Sequence, residues 1–475
     1  MRHLKHHLFI GLLLVLVIWV SSWGPGWTAP TLTLQQQVND YATQGLGPRA
    51  VAVLRISPEG TETAFAGTTG NPTHPTPTAD TLFEIGSITK VFTALLLADQ
   101  VNQGGVTLDT PVKELVPEDV EESAAMIPLR ALASHTAGLP RLPLTRILWS
   151  LLYPADPYRG SQPAELYQAI RAADPAPETC QYSNLGPALL GQLLATAAGQ
   201  PYEALIQTQV LAPLGLTDTH VALSPEATER LAQGHRENGL PTANWQLDAY
   251  TPAGGLKSTL TDMGRFLAAA MAADWSPLAL SLQPYSETCE PNFGLGWVFT
   301  DLEGAPMIMH NGRTGGYYAF LGWLPEADRG LVLLTNTSDA RGNQVATALL
   351  TGAPLPDRPL SAGSLVWALM LAGLLGYQGW HLWRSPKSSS WLQIAENLAT
   401  TLLYLALSYQ LGPWQWLPIA LWWGLVALLA GLTLRQLWQF RTSPPAAVPS
   451  LSWGWYSLRL VPTLMVLGWT LFCLR

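Results

Sequence analysis

Apolar residues run unbroken over residues 8–20, recur with helix or strand spacing from about 34 to 352, and become nearly continuous again from Ala362 onward. In the middle part, residues 34–45 carry a helical pattern, while 50–56 and 61–67, joined by Pro58, Glu59 and Gly60, carry that of a hairpin. A helix starting at Ser87 is ended by Gly104 and Gly105, and a long Pro- and Ala-rich, mostly helical stretch follows. Strand character returns at 297–300, 307–310, 317–323 and 330–335. Strands at both ends with helices between them predict an α+β domain: one sheet closed by the two chain ends, with a helical lobe inserted.

The last part has membrane composition, with Glu396 its only acid and twelve of the twenty tryptophans. Four stretches, approximately 365–383, 394–411, 417–434 and 456–474, each approach the roughly 20 residues needed to span a bilayer. Arg384 and Lys387 follow the first and Arg435 and Arg441 the third, whereas the turn at Gly412 and Pro413 is uncharged. The positive-inside bias then places 384–390 and 435–449 in the cytoplasm and the domain before Ala362 outside, with the C-terminus. At the other end, Arg2 and Lys5 ahead of the 8–20 run have the form of a signal peptide or short anchor. The expected organisation is 1–30 leader or anchor, 31–352 globular domain, 353–363 linker and 364–475 membrane domain of about four spans, with lipid as one partner.

Charge follows the same division. The chain as a whole carries −8, yet six basic residues face one acid from Ala362 on, so the rest is close to −13. Such an acidic domain excludes nucleic acid as a plausible partner, since that binding neutralises phosphates with Lys and Arg. Cys180 and Cys289 would both face an oxidising space, which permits a bridge without establishing one.

One of only five lysines sits in an apolar setting: Lys90, among Ile88, Val91, Phe92 and Leu95 in FEIGSITKVFTALLLADQ. Helix geometry places Ser87 and Lys90, three apart, about 5–6 Å from each other at Cβ. A helix start favours negative charge developing at Ser87, and apolar neighbours keep the amine neutral and able to accept the serine proton. An S-x-x-K by itself equally fits a capping serine with an unrelated lysine. Two further triplets bear on the choice. Tyr182 and Asn184 in QYSN point the same way in an extended segment, and HNGRTGG places His310 at a strand end before glycines that permit close backbone approach.

The ordered set S-x-x-K, Y-x-N, H-x-G resembles the penicillin-recognising serine hydrolases: class C-type β-lactamases, D-alanyl-D-alanine carboxypeptidases and related esterases. GGVTLDTPV, LASHTAGLP, PLGLTDT, PAGGLKSTLTDMGRFL and FLGWLPEADRGLVLLTN extend the likeness over about 33–352. The resemblance implies an antiparallel sheet flanked by helices plus an all-helical lobe, with the site at their junction. It implies Ser87 as acyl-accepting nucleophile, Lys90 and Tyr182 sharing the proton work, and His310 in the third-motif position. Asn184 would orient Lys90 and hold a substrate amide, with Asn311, Gly312 and Arg313 also on the substrate. The Ser87 and Arg313 backbone N–H groups would form the oxyanion hole. Tyr182 would need a lowered pKa to act as base. No metal or cofactor is needed, and the implied partners are small or peptidoglycan-like peptide substrates.

Some positions depart from the pattern. His310 stands where many relatives have lysine, which passes carboxylate docking partly to Arg313. Glu178 stands where relatives often have glycine, and the membrane tail has no counterpart in the soluble enzymes. His135 reads as a satisfied histidine beside the Gly138 turn, and 147–158 as a packed helix with a lid or membrane-touching loop as the alternative. The expected function is a membrane-tethered serine hydrolase of amide or ester bonds in D-amino-acid peptides, β-lactams or small esters. A slow-turnover penicillin sensor or a scaffold without activity is the alternative. Cytoplasmic connections too short for an effector domain favour the enzyme.

Overall fold

The computed structural model describes residues 32–44, 49–116, 122–153, 155–171, 179–285, 289–357, 362–384, 391–411 and 419–442. The chain divides into Met1–Thr33 and Leu34–Arg475, and the first, with the expected leader, lies almost wholly outside the described residues. In the second, helix α1 (Leu34–Thr43) precedes β1 (Val51–Ser57) and β2 (Gly60–Ala66). These two pair as the expected hairpin, Ser57 opposite Gly60, whose φ of +129° suits only glycine. The short strand β3 (Phe83–Glu84) leads into α2 (Thr89–Asn102) and the inserted helices, including α3 (Leu144–Leu152), α4 (Leu185–Ala198) and, after β4 (Lys257–Ser258), α5 (Leu260–Ala272). The chain returns through β5 (Asn292–Phe293), β6 (Val298–Leu302), β7 (Ala305–Arg313), β8 (Tyr318–Leu324), β9 (Arg329–Thr335) and α6 (Gly342–Thr351).

While β3 pairs only with β4 in a second, two-stranded sheet, seven strands form one antiparallel sheet in the order β2-β1-β9-β8-β7-β6-β5, so β1 and β9, from the two ends of the domain, lie side by side. Both faces are buried, and residue alternation decides which is which. Val51, Val53, Phe320, Leu331 and Leu333 pack with Val38 of α1 and Leu349 of α6. Ala52, Leu321, Val332 and Leu334 pack toward Phe266 of α5 and the helical lobe. β7 runs through His310 to Arg313, so His310 is within the strand and not at its end. β6 pairs with β7 only as far as Met309, and past that point the edge of β7 is free to meet the turn ahead of α2.

Three long helices, α7 (Ala362–Arg384), α8 (Trp391–Leu411) and α9 (Ile419–Thr442), fall on three of the four expected spans. Only Leu421–Thr442 among the described residues is long and apolar enough to cross a membrane, and the expected span at 456–474 lies outside them. Leu375 and Leu382 of α7 and Leu429 of α9 form a small core, against which Tyr404 and Leu405 of α8 pack. Within it Gln378 Nε2 donates to Thr401 Oγ1 at 2.9 Å and to the Asn397 carbonyl at 3.2 Å.

Candidate active site

Ser87 lies in a 3-10 turn, Gly86–Ile88, and the α-helix proper starts at Thr89, two residues later than the pattern predicts. The turn is held by close backbone approach. A Cβ on Gly312 of β7 would stand 1.8 Å from the Ile85 carbonyl oxygen and 2.9 Å from the Ser87 nitrogen, and one on Gly86 would stand 2.9 Å from the Arg313 nitrogen. Gly86 also has φ +50°. The two glycines therefore let the nucleophile turn and the free edge of β7 touch, bringing the Ser87 and Arg313 amides to one place. On its Cβ side Gly312 meets protein backbone.

Lys90 reaches back one turn, its Nζ donating to Ser87 Oγ at 2.8 Å and to the Ala253 carbonyl at 2.7 Å. It is 1% exposed, and neither partner is charged. Burial, with Arg141 nearby, holds the amine well below its ordinary pKa. Asn184 does not orient this lysine as expected. Its Nδ2 donates to the Tyr158 hydroxyl at 2.8 Å, and its buried Oδ1 has no partner among the described residues.

The Tyr182 ring lies against the catalytic pair, with the Lys90 amine 5.2 Å and the Arg141 guanidinium 5.3 Å from its centroid, and the Ser87 side chain acts on its hydroxyl. Its pKa is not lowered. Desolvation in the narrow cleft outweighs Ser87 and Arg141 and pushes the phenol up to about 12, because the nearest amine is itself neutral. Cys180, two residues earlier, is bridged to Cys289, tying this segment to the start of β5.

His310 is 1% exposed, its ring 6.4 Å from that of Tyr182. Nδ1 lies 2.6 Å from the Asn311 carbonyl, so it carries the proton and leaves Nε2 as a lone-pair acceptor. Burial first, and Lys90 second, lower its pKa to about 3 against that hydrogen bond. It is a neutral imidazole at pH 7, not a carboxylate-binding cation. Asn311 alternates to the other face of the strand, where its Nδ2 donates to Asn343 of α6 at 2.9 Å, so its side chain is away from Ser87. Arg313 does border the cleft and is exposed, its Nε held by Ser338 Oγ at 2.9 Å.

Four participants escaped the sequence. Arg141, Tyr158 and Trp245 line the cleft with Ser87 and Asn184, and the Ala253 carbonyl anchors Lys90. None carries a local pattern, because Arg141, Tyr158 and Trp245 come from three separate connections and Ala253 from the one-turn helix Thr251–Gly254. His135 was visible but misjudged. Its Nδ1 accepts from Ser183 N at 3.2 Å, but Nε2 is buried without a partner among the described residues, and the ring centroid lies 4.5 Å from that of Tyr182 with the planes tilted by 36°. Glu178 lies outside the described residues.

The comparisons agree with this geometry. Residues 39–352 match the family described as Beta-lactamase. A beta-lactamase of Escherichia coli K12 is 29% identical over 303 residues, 54% of this chain and 76% of that protein. The D-alanyl-D-alanine-carboxypeptidase/endopeptidase AmpH of the same organism is 28% identical over 323 residues, 63% of this chain and 82% of that protein. The crystal structure of a beta-lactamase/D-alanine carboxypeptidase from Pseudomonas syringae shares the fold, with a TM-score of 0.59 at 20% identity over 68% of this chain and 98% of that one. With the profile covering the whole sheet and its inserted lobe, and the serine, lysine and tyrosine brought together inside it, the chain belongs to the beta-lactamase family.

Proposed function

We propose that the protein is a membrane-tethered, extracytoplasmic serine hydrolase that cleaves amide or ester bonds through an acyl-enzyme on Ser87. The observation that carries this reading is the 2.8 Å contact from a buried lysine amine, held neutral, to a serine hydroxyl at a cleft. Ser87 Oγ attacks the carbonyl carbon while its proton passes to Lys90 Nζ. The oxyanion is held by the Ser87 and Arg313 amides. As the scissile bond breaks, the leaving atom takes a proton from Lys90 through the Tyr182 hydroxyl, which stays protonated at neutral pH and acts as donor and relay. Water then attacks the ester, with Lys90 again taking a proton, and Ser87 is released. Asn184 Oδ1 accepts from a substrate amide, and Arg313 with Arg141 supplies the cations for a substrate carboxylate that His310 does not.

Tethering is supported by the pattern of α7 to α9, where Trp380 and Trp438 are 53% and 65% exposed while Gln378 and Thr401 are buried between helices. Apolar outside and polar inside is the arrangement expected in lipid. The test is mass labelling of the full-length protein with a fluorophosphonate and, separately, a penicillin. Label on Ser87 that is absent in Ser87→Ala is expected with the first reagent. Label elsewhere, or ester turnover surviving Ser87→Ala, removes the reading. Labelling by fluorophosphonate alone points to an esterase or peptidase and away from β-lactam chemistry.

A further inference from the structure

Resting on the acyl-enzyme reading, we propose that a groove beside the Ser87 cleft is a subsite for an apolar chain of the substrate, so that esters or amides bearing an alkyl or acyl chain are preferred.

Size is the first argument. The cleft around Ser87 has a volume of about 50 Å³, room for little beyond the reacting bond. The bulk of any substrate must lie elsewhere. The adjoining groove measures about 790 Å³, within the range of small-molecule sites. The two lie on either side of the same chain segments: Pro140 lines the groove and Arg141 the cleft, while Gly160 lines the groove and Tyr158 the cleft. The partition is also fixed to the catalytic motif. The Pro140 carbonyl accepts from Ser183 Oγ at 2.8 Å, and the Arg141 carbonyl accepts from Asn184 N at 3.0 Å.

Chemistry is the second. Pro143, Leu144, Trp149 and Ala169 make the groove apolar, and its two charged lining residues, Arg146 and Glu165, are paired with each other. The remaining polar lining is Thr145 and Gln168 with the unpaired Nε of Arg146, so the apolar side chains form one wall of the groove and an alkyl chain laid on that wall needs no partner. The expectation of a plain packed helix at 147–158 fails here. Leu144, Ile147 and Leu148, one face of α3 by their spacing, are 70%, 44% and 55% exposed. An apolar face left open beside a reactive serine marks a contact surface. A chain laid in the groove would cover Leu144 and Trp149 and leave its carbonyl at Ser87.

The experiment uses the full-length protein in detergent and p-nitrophenyl esters from acetate to octanoate, with an alcohol-chain series of acetate esters in parallel. Each fully buried methylene is worth about fourfold in kcat/KM. With partial burial, kcat/KM should rise about 100-fold across one series, and the series that rises tells which side of the scissile bond enters the groove. In Trp149→Ala, and in Ala169→Trp, which fills the groove, the octanoate-to-acetate ratio should fall about tenfold or more. Fluorophosphonate labelling of Ser87 in both variants separates this result from misfolding and from failure of the serine reading. Flat dependence in both series, or ratios unchanged in both variants, overturns the proposal. So does a finding that Trp149→Ala alters only vesicle binding or only the oligomeric state, which would assign the face to a bilayer or to a second copy.

Discussion

Two buried polar clusters in the same domain are built on opposite rules. Around Asp339 the charges are paired: Oδ2 accepts from Tyr41 OH at 3.1 Å, Arg49 Nη1 at 3.1 Å and Arg341 Nη2 at 3.2 Å, and Oδ1 from Arg341 N at 2.9 Å. Burial alone would raise this carboxyl, but Arg49 and Arg341 outweigh it and hold it below its ordinary value. Around Ser87 the groups are stripped of charge: Lys90, His310 and His135 all have lowered pKa values, chiefly through burial. Asn184 Oδ1 and the Nε2 atoms of both histidines are buried without partners among the described residues. Evolutionary tolerance for unmet hydrogen bonds is small, and each such group is a candidate for chemistry. The first cluster holds the chain ends to the sheet; the second holds reactivity.

Crossed substitutions sharpen that contrast most. Lys90→Met removes the base and should slow acylation of Ser87 by about 10²–10⁴, with the Ser87→Ala, Lys90→Met pair no worse in turnover than Ser87→Ala alone. Its melting temperature should stay within a few degrees of wild type, because a desolvated amine is exchanged for an apolar chain of like length. Asp339→Asn should do the reverse. It leaves Arg49, whose side chain is 2% exposed, without its ion pair, at a cost of about 3 kcal/mol or more. Specific labelling of Ser87 in the folded fraction should persist. Thermal melts and labelling on both variants decide the matter, and loss of both properties in both variants would erase the distinction between the clusters.

Acid titration breaks the comparison at a second point. His310 has a folded pKa of about 3 against an ordinary value near 6.5, so the unfolded chain takes up a proton over this window and the folded chain does not. Folding stability therefore falls as pH drops from about 6.5 toward 3, with no His310 contribution above 6.5, and His135 acts in the same direction. His310→Gln should flatten part of that fall. Asp339, with its lowered pKa, contributes above the ordinary carboxylate range and is lost as pH falls through its folded value, so its substitution should not touch the window near 6. For catalysis, the acid limb belongs to Lys90, whose neutral form is required, and should keep its position in His310→Gln. An acid limb near 6.5 that disappears in that variant would return the proton work to the histidine.

How far the sequence foretold these clusters depends on whether their parts repeat with a backbone period. The hairpin, β8 and β9 were legible because alternation and turn chemistry are local. Ser87 and Lys90 were legible because three residues make nearly one helical turn. The phenol's protonation state was not. Tyr182 was expected to need a lowered pKa, but its burial, visible only in the packed structure, raises it, and the lysine beside it, neutral as its apolar neighbours predict, does not offset that. Asn311 was placed on the substrate by the family resemblance, yet a strand sends neighbours to opposite faces, and the side chain meets α6. Had 307–310 been extended three residues, the alternation itself would have excluded it. The groove wall was the hardest part, since 138–141 and 158–160 become neighbours of Asn184 only through the folding of the lobe.

The smallest effect concerns that lobe's hold on the unpaired cluster. Tyr158 is 6% exposed and touches no reacting group directly; its hydroxyl accepts from Asn184 Nδ2 at 2.8 Å, and its ring lies 5.3 Å from Trp245 and 5.1 Å from Tyr250. It is a positioning residue, setting the amide so that Oδ1 and not Nδ2 faces the cleft. Tyr158→Phe keeps the ring packing and removes only that acceptor, so the Asn184 amide is free to turn over. For substrates with an amide N–H beside the scissile carbonyl, KM should rise about five- to tenfold, the value of one neutral hydrogen bond, with kcat changed less than twofold. For simple esters lacking that N–H, neither constant should move. Burial pushes the Tyr158 phenol above its ordinary range, so it is neutral throughout and its replacement should leave the pH profile where it was. Equal losses on amide and ester substrates would mean that Tyr158 only supports the fold, and that the unpaired oxygen of Asn184 is not held for a ligand.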